Sequence, residues 1–161
     1  MLYYEIFASQ LQQNIYAIYV LFGWGVVNLI FGTIQLIRHK RSTQPYYFYL
    51  MSMCWGVVNT GIAIGTLAYL SSINTDTFGL TEIIYTGFTF EKTVLANIGL
   101  NIAYIAIGAF LVERGKHLKK HLYKGFGHAI WLQGGFLFIF DTVLFLLNYM
   151  ANQEYRVFIL F

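Results

Sequence analysis

Four long apolar runs dominate the sequence and limit the folds open to it. They cover about residues 14–37, 46–70, 93–112 and 128–150. A helix of about 20 apolar residues crosses the roughly 30 Å hydrocarbon core of a bilayer. Within lipid, a helix satisfies its backbone hydrogen bonds inside one segment. The pattern therefore predicts an all-α fold, an integral membrane four-helix bundle.

The composition agrees with this prediction and leaves little chain for a second domain. Of the 161 residues, 58% are hydrophobic and 11% are charged, which is too apolar for an ordinary soluble domain of this length. We expect residues 1–161 to form a single transmembrane domain whose first partner is the lipid bilayer. The one cysteine, Cys54, provides no disulfide framework, and its apolar neighbours predict a core position.

Basic residues are confined largely to the first and third connections between the runs. These connections hold eight of the ten Lys and Arg residues: Arg38, Lys40, Arg41, Arg114, Lys116, Lys119, Lys120 and Lys124. Cytoplasmic loops retain Lys and Arg, so both termini are predicted outside and two short loops inside. The net charge of +3 then reflects sidedness at the membrane surface, and we expect no nucleic-acid partner.

Two segments between the runs are expected to be ordered. Residues 76–91 mix aromatic and aliphatic side chains with acids and glycines, which predicts a short helix or loop on the outer interface. Residues 116–124 are basic and partly apolar, which predicts a turn of helix against anionic headgroups on the inner face.

A pentapeptide occurs twice, as Trp24-Gly25-Val26-Val27-Asn28 in the first run and as residues 55–59 in the second. The two runs cross in opposite directions, so the repeat is inverted, as in transporters built around a midplane site. A helix-packing unit that occurs twice, by duplication or chance, is the simpler explanation and the one we prefer. Small and aromatic residues predict helix packing at Trp24, Gly25, Gly32, Trp55, Gly61, Gly65 and Gly108.

Polar residues lie near the centre of each run and predict a polar midplane. They are Asn28, Asn59, Asn97, Asn101, Tyr104, Gln133 and Asp141. Asp141 stands out because a carboxylate at mid-depth costs at least ~2.5–3.5 kcal/mol, and no Lys or Arg lies inside a run to pair with it. Two roles stay open: a structural clasp, or a site linked to a proton, an ion or a small ligand.

Enzyme motifs are absent from the sequence. It has no glycine loop followed by Lys and Ser or Thr, no His-Glu-x-x-His pair and no Gly-x-Ser-x-Gly elbow. The four histidines lie at or beyond the inner ends of the runs, away from mid-depth. We therefore expect a non-enzymatic protein with no catalytic residues, no metal site and no cofactor.

Several groups of residues resemble an uncharacterised family of small bacterial four-span integral membrane proteins. The resemblance rests on Tyr47, Phe48, Met51, Trp55, Val58 and Asn59, on Asn97, Gly99, Leu100, Ala103, Tyr104, Gly108, Glu113, Arg114 and Gly115, and on Leu132, Gln133, Gly134, Phe136 and Asp141. It implies a bacterial cytoplasmic (inner) membrane location and no known activity. The family pattern has a more polar entry to the second run, where this chain has Tyr49, Leu50 and Gly56.

Two functions are consistent with these features. The first is a non-catalytic membrane protein that acts by assembly, as a homo-oligomer or as an accessory subunit of a larger membrane complex. The second is a small carrier or channel for protons, ions or a small ligand, centred on Asp141.

Overall fold

Four helices make up the fold. The computed structural model describes residues 2–73 and 78–159, without the side chains of residues 2, 3 and 156–159. The helices are α1 (Leu2–Arg38), α2 (Gln44–Ser72), α3 (Leu80–His117) and α4 (His121–Ile159). Each is long and apolar enough to cross a membrane. The predicted all-α, four-helix fold is confirmed, and each helix extends beyond the apolar run that predicts it.

Because the helices are longer than the apolar runs, the predictions for residues 76–91 and 116–124 need correction. From Leu80 onward, the segment expected on the outer interface is the first part of α3, where Ile83 and Gly87 are buried. Residues 76 and 77 lie outside the described chain. The basic segment 116–124 is not one turn of helix, because α3 ends at His117 and α4 begins at His121. Lys119, between them, has a left-handed φ of 53° that reverses the chain.

Local sequence signals explain where two of the helices begin. Thr43 caps α2, since its hydroxyl accepts a hydrogen bond from the Tyr46 amide, and Pro45 occupies the first turn, where its missing N–H costs nothing. At the start of α3, the Gly79 amide donates to the Glu82 carboxylate at 2.6 Å. That acid also favours the positive end of the helix dipole.

The helices form two antiparallel hairpins, α1 with α2 and α3 with α4. The hairpins join mainly through α2 and α4, whereas α2 and α3 barely touch. Both short connections, residues 39–43 and 118–120, therefore lie at one end of the bundle, which we call the basic end. The opposite end, where α1 begins and α4 ends, is called the terminal end. The eight basic residues of the first and third connections all lie at the basic end.

Glycine allows close backbone contact within the first hairpin. A Cβ placed on Gly56 would lie 2.6 Å from the Leu29 amide nitrogen, and one on Gly25 would lie 2.8 Å from the Thr60 amide nitrogen. Each glycine thus meets the residue four positions beyond the other. The contact is reciprocal, as an antiparallel pair with a local two-fold axis requires. Gly32 extends it along α1, with the Met53 Cβ at 3.0 Å.

The second hairpin repeats this geometry with a different sequence. A Cβ on Gly108 would lie 2.6 Å from the Trp131 amide nitrogen, and one on Gly127 would lie 2.7 Å from the Val112 amide nitrogen. Again each glycine meets the residue four positions beyond its partner. Both hairpins therefore close through backbone contact at paired glycines, the means by which membrane helices approach most closely.

Two of the predicted packing glycines lie elsewhere. Gly61 and Gly65 of α2 are exposed, and a Cβ on either would meet no atom within 4 Å. They make no close helix contact within the described chain.

Gly108→Ala is expected to destabilise the bundle. The added methyl meets backbone atoms of α4 that cannot rotate away, and such overpacking typically costs ~1–3 kcal/mol. Alanine also gains up to ~1 kcal/mol of helix propensity over glycine, which offsets only part of the loss. The measurement is the unfolding midpoint in detergent.

Gly99→Ala on the same helix is the matched control, because nothing lies within 4 Å of its added methyl. Equal midpoints for the two variants would show that the glycine contact does not stabilise the hairpin.

Candidate functional site

The side-chain amide of Gln133 joins three helices at the centre of the bundle. Gln133 is fully buried, and its Nε2 donates to Asn28 Oδ1 at 2.6 Å. Its Oε1 accepts from Trp24 Nε1 at 2.8 Å and from Asn59 Nδ2 at 3.5 Å. We call these four residues the glutamine clasp. Since a buried amide without partners is costly, the clasp holds the first hairpin against α4.

The repeated pentapeptides supply most of this clasp. Asn28 and Asn59, the last residues of the two copies, reach Gln133 from α1 and α2. Asn28 also donates to the Trp24 carbonyl at 2.8 Å, and the Trp24 ring stacks on Phe136 with centroids 4.0 Å apart. Together with the Gly25–Gly56 contact, this geometry favours the packing-unit interpretation of the repeat.

A cleft of about 520 Å³ opens between α2 and α3, the two helices that barely touch. We call it the α2–α3 cleft. Its apolar lining includes Leu21, Met51, Ile62 and Leu137. Five of the predicted midplane residues also line it: Asn59, Asn97, Asn101, Tyr104 and Asp141. The other two, Asn28 and Gln133, belong to the clasp and lie outside the cleft.

Asp141 lies on α4 and lines the cleft. It is 8% exposed, and its Oδ2 accepts a hydrogen bond from Asn101 Nδ2 at 2.6 Å. No other hydrogen bond from a described residue reaches the carboxyl group, so Oδ1 has no partner among those residues. Asn97, one turn of α3 away from Asn101, is exposed along the same cleft. The cleft thus combines apolar walls with two polar groups that the chain leaves partly unsatisfied.

Aromatic side chains flank the cleft on both sides. Trp55 of α2 and Tyr104 of α3 meet edge to face, with ring centroids 5.1 Å apart and planes at 72°. Cys54, next to Trp55, also lines the cleft and is exposed rather than in the core, which corrects the sequence prediction. The apolar residues next to Cys54 in the sequence correctly predict a helix, but they do not show which face of that helix is covered by the rest of the bundle.

A second polar network, near the terminal end, was not predicted as a site. Asn148 exchanges two hydrogen bonds with Asn14, at 2.8 and 3.1 Å, and accepts one from Gln10. Asn152 accepts another from Gln10 and donates to Glu91 at 2.6 Å. The spacing of four residues between Gln10 and Asn14, and between Asn148 and Asn152, was a usable signal. Asn14 and Asn148 lie at the ends of the predicted apolar runs, but the runs gave no indication that α1 and α4 continue together as far as Gln10 and Asn152.

The structure places no metal-binding cluster in this region. Among the residues described, no three His, Cys, Asp or Glu side chains are close enough together to hold a metal ion. At the basic end, exposed Glu113 pairs with Lys116 and His117, each at 3.2 Å. His128 bonds to the Lys124 carbonyl at 2.7 Å, one turn back on the same helix.

Comparison with known proteins gives one match. The model of a protein family described as "Family of unknown function (DUF6992)" matches residues 20–142. This range includes the whole glutamine clasp and every residue that lines the α2–α3 cleft. No curated protein and no solved structure matches the chain.

Gln133→Leu is expected to lower the free energy of unfolding by about 1–2 kcal/mol. Hydrogen bonds between membrane helices average ~0.6 kcal/mol with a maximum near 1.7, and this change removes three at once. The measurement is unfolding by a denaturing detergent.

Gln12→Leu serves as the control. It removes an amide of equal size from an exposed position, where Tyr16 is its one partner among the described residues. If Gln133→Leu unfolds no more readily than Gln12→Leu, the clasp does not stabilise the bundle.

Proposed function

The chain belongs to the family of unknown function DUF6992, and we propose a function for it from the geometry of the α2–α3 cleft. The protein is an integral membrane protein that binds a small, membrane-dissolved ligand there without altering it chemically. The observation that carries this proposal is an acid with one hydrogen-bonded oxygen, Asp141, in an apolar cleft that opens sideways between two helices.

The membrane setting is supported by the helices and by the distribution of charge. All four helices are long and apolar enough to span a bilayer. The eight basic residues at the basic end favour the cytoplasmic side for that end, which places both termini outside. The resemblance to small bacterial membrane proteins favours the cytoplasmic membrane of a bacterium.

The shape of the cleft favours a ligand that arrives from the bilayer. Ligand pockets are usually about 300–1,000 Å³, mostly apolar, with a few convergent polar groups, and the α2–α3 cleft of about 520 Å³ has these properties. Its opening lies between two apolar helices, where the surrounding solvent is lipid. A molecule dissolved in the membrane can therefore enter without crossing a polar barrier.

The polar groups of the cleft require a partner that lipid tails do not provide. Oδ1 of Asp141 has no bond from the described chain, and Asn97 is exposed. Facing hydrocarbon, such groups stay desolvated and unpaired, which is costly. A ligand with a hydrogen-bonding or charged group would satisfy them, and the proton- or ligand-linked role of Asp141 then outweighs the role of a clasp. The clasp role belongs to Gln133.

Leu100→Trp is expected to exclude the ligand. Leu100 lines the cleft and is 52% exposed. The larger tryptophan side chain should therefore fill the cleft without entering the core. Native mass spectrometry of mildly extracted protein should detect a bound small molecule on the unaltered chain and none on this variant.

Leu146→Trp is the matched control, because Leu146 is 51% exposed and does not line the cleft. Ligand retained by Leu100→Trp, or lost equally from both variants, would contradict the proposed site.

A second candidate function is assembly with copies of itself or with other membrane subunits. Exposed Gly61 and Gly65 of α2 favour it, since both hairpins use glycine for close helix contact and these two glycines have no such neighbour. A helix from another chain could approach them closely.

Gly61→Leu is expected to reduce the mass of the mildly extracted particle if assembly uses this face. The control is Gly23→Leu on α1, another exposed glycine without neighbours. A monomer before substitution, or an unchanged particle after it, would rule out assembly through Gly61.

A further inference from the structure

We propose that the ligand of the α2–α3 cleft is a lipophilic cation, such as a protonated amine or a quaternary ammonium or phosphonium compound with an apolar body. This inference rests on the proposed function and specifies the chemical class of its ligand. It follows from three properties of the cleft: its charge, its aromatic walls and the orientation of its acid.

The charge of the cleft is carried by one residue. Asp141 is the only acidic residue among the described residues that line the cleft, and no Lys, Arg or His lines it. Eight of the ten basic residues of the chain lie at the basic end, and Lys92 of α3 lines no part of the cleft. The described part of the chain therefore supplies no counter-ion for Asp141 within the cleft, and an anionic ligand would be repelled.

The aromatic walls suit a positive charge. Trp55 and Tyr104 lie on opposite sides of the cleft and touch edge to face. Ring faces attract cations, most strongly where water is excluded. Tyr104 is three residues from Asn101, the residue that bonds Asp141, so Tyr104 lies about one helical turn along α3 from the partner of the acid. The same rings pack favourably against an apolar body.

Asn101 orients the acid toward this role. Its amide donates to Oδ2 of Asp141 at 2.6 Å, which holds one oxygen and leaves Oδ1 without a partner in the described part of the chain. Because Asp141 is 8% exposed, that oxygen meets little solvent. A cation bound beside it completes a desolvated ion pair, in which each partner depends on the other.

The test is binding of tetraphenylphosphonium to the purified full chain in lipid nanodiscs, with triphenylphosphine oxide as a neutral aromatic probe. The phosphonium ion should bind saturably and at least about tenfold more tightly than the neutral compound. Asp141→Asn should weaken phosphonium binding about 30-fold or more, as loss of one partner of a buried charge pair does. Binding of the neutral probe should not change.

Two variants control for indirect effects. Asn at position 141 keeps an oxygen that can accept the Asn101 hydrogen bond, so Asp141→Asn should retain the melting temperature of the unaltered chain. Glu154→Gln removes an exposed acid far along the same helix and should leave binding unchanged. If Asp141→Asn does not fold, Trp55→Leu provides the second test, with an expected loss of phosphonium preference.

The outcomes separate this inference from the function on which it rests. Equal binding of both probes, unaffected by Asp141→Asn, would overturn the cationic ligand and leave the cleft as a site for neutral molecules. No binding of either probe, together with no co-purifying molecule sensitive to Leu100→Trp, would overturn both.

Discussion

The hydrogen bonds that meet at Gln133 are the interaction on which the arrangement of the four helices depends. Each hairpin closes by itself through paired glycines, but its relation to the other hairpin is set where Trp24, Asn28 and Asn59 bond to Gln133. In an apolar surrounding, hydrophobic burial does not distinguish one helix face from another, and hydrogen bonds with fixed directions do. The clasp therefore fixes the first hairpin against α4, chiefly through the short bonds from α1.

The α2–α3 cleft is a consequence of that placement. α3 packs along α4 within the second hairpin, and α2 packs against a different face of α4. α2 and α3 therefore flank an opening. Asp141 lies on α4 two turns beyond Gln133 and faces this opening. Both residues lie on one face of α4. Gln133 has hydrogen-bond partners for both its nitrogen and its oxygen, whereas Asp141 has a partner for one carboxyl oxygen. Gln133 therefore serves the structure, and Asp141 remains available to a ligand.

The repeated pentapeptide fits the same scheme. Its glycines close the first hairpin, and its asparagines reach α4, so one short sequence serves both contacts in each helix. The second hairpin has the same close glycine contact, at Gly108 and Gly127, but does not contain the pentapeptide. The shared feature is the physical requirement for close antiparallel backbones, and a recurring sequence is only one way to meet it.

The sequence by itself determined the number of helices, their apolar character, the gathering of basic residues at one end and the identity of the central polar residues. Those follow from composition along the chain and from helical spacing, which are local properties. Only the tertiary structure decided which of Asn28, Asn59, Asn97, Asn101, Gln133 and Asp141 satisfy one another, and that Gly61, Gly65 and Cys54 face outward. It also joined Gln10, Asn14, Asn148 and Asn152 into a network. The physical reason is that all four helices are apolar around most of their circumference, so the pattern of letters does not indicate which face another helix will cover.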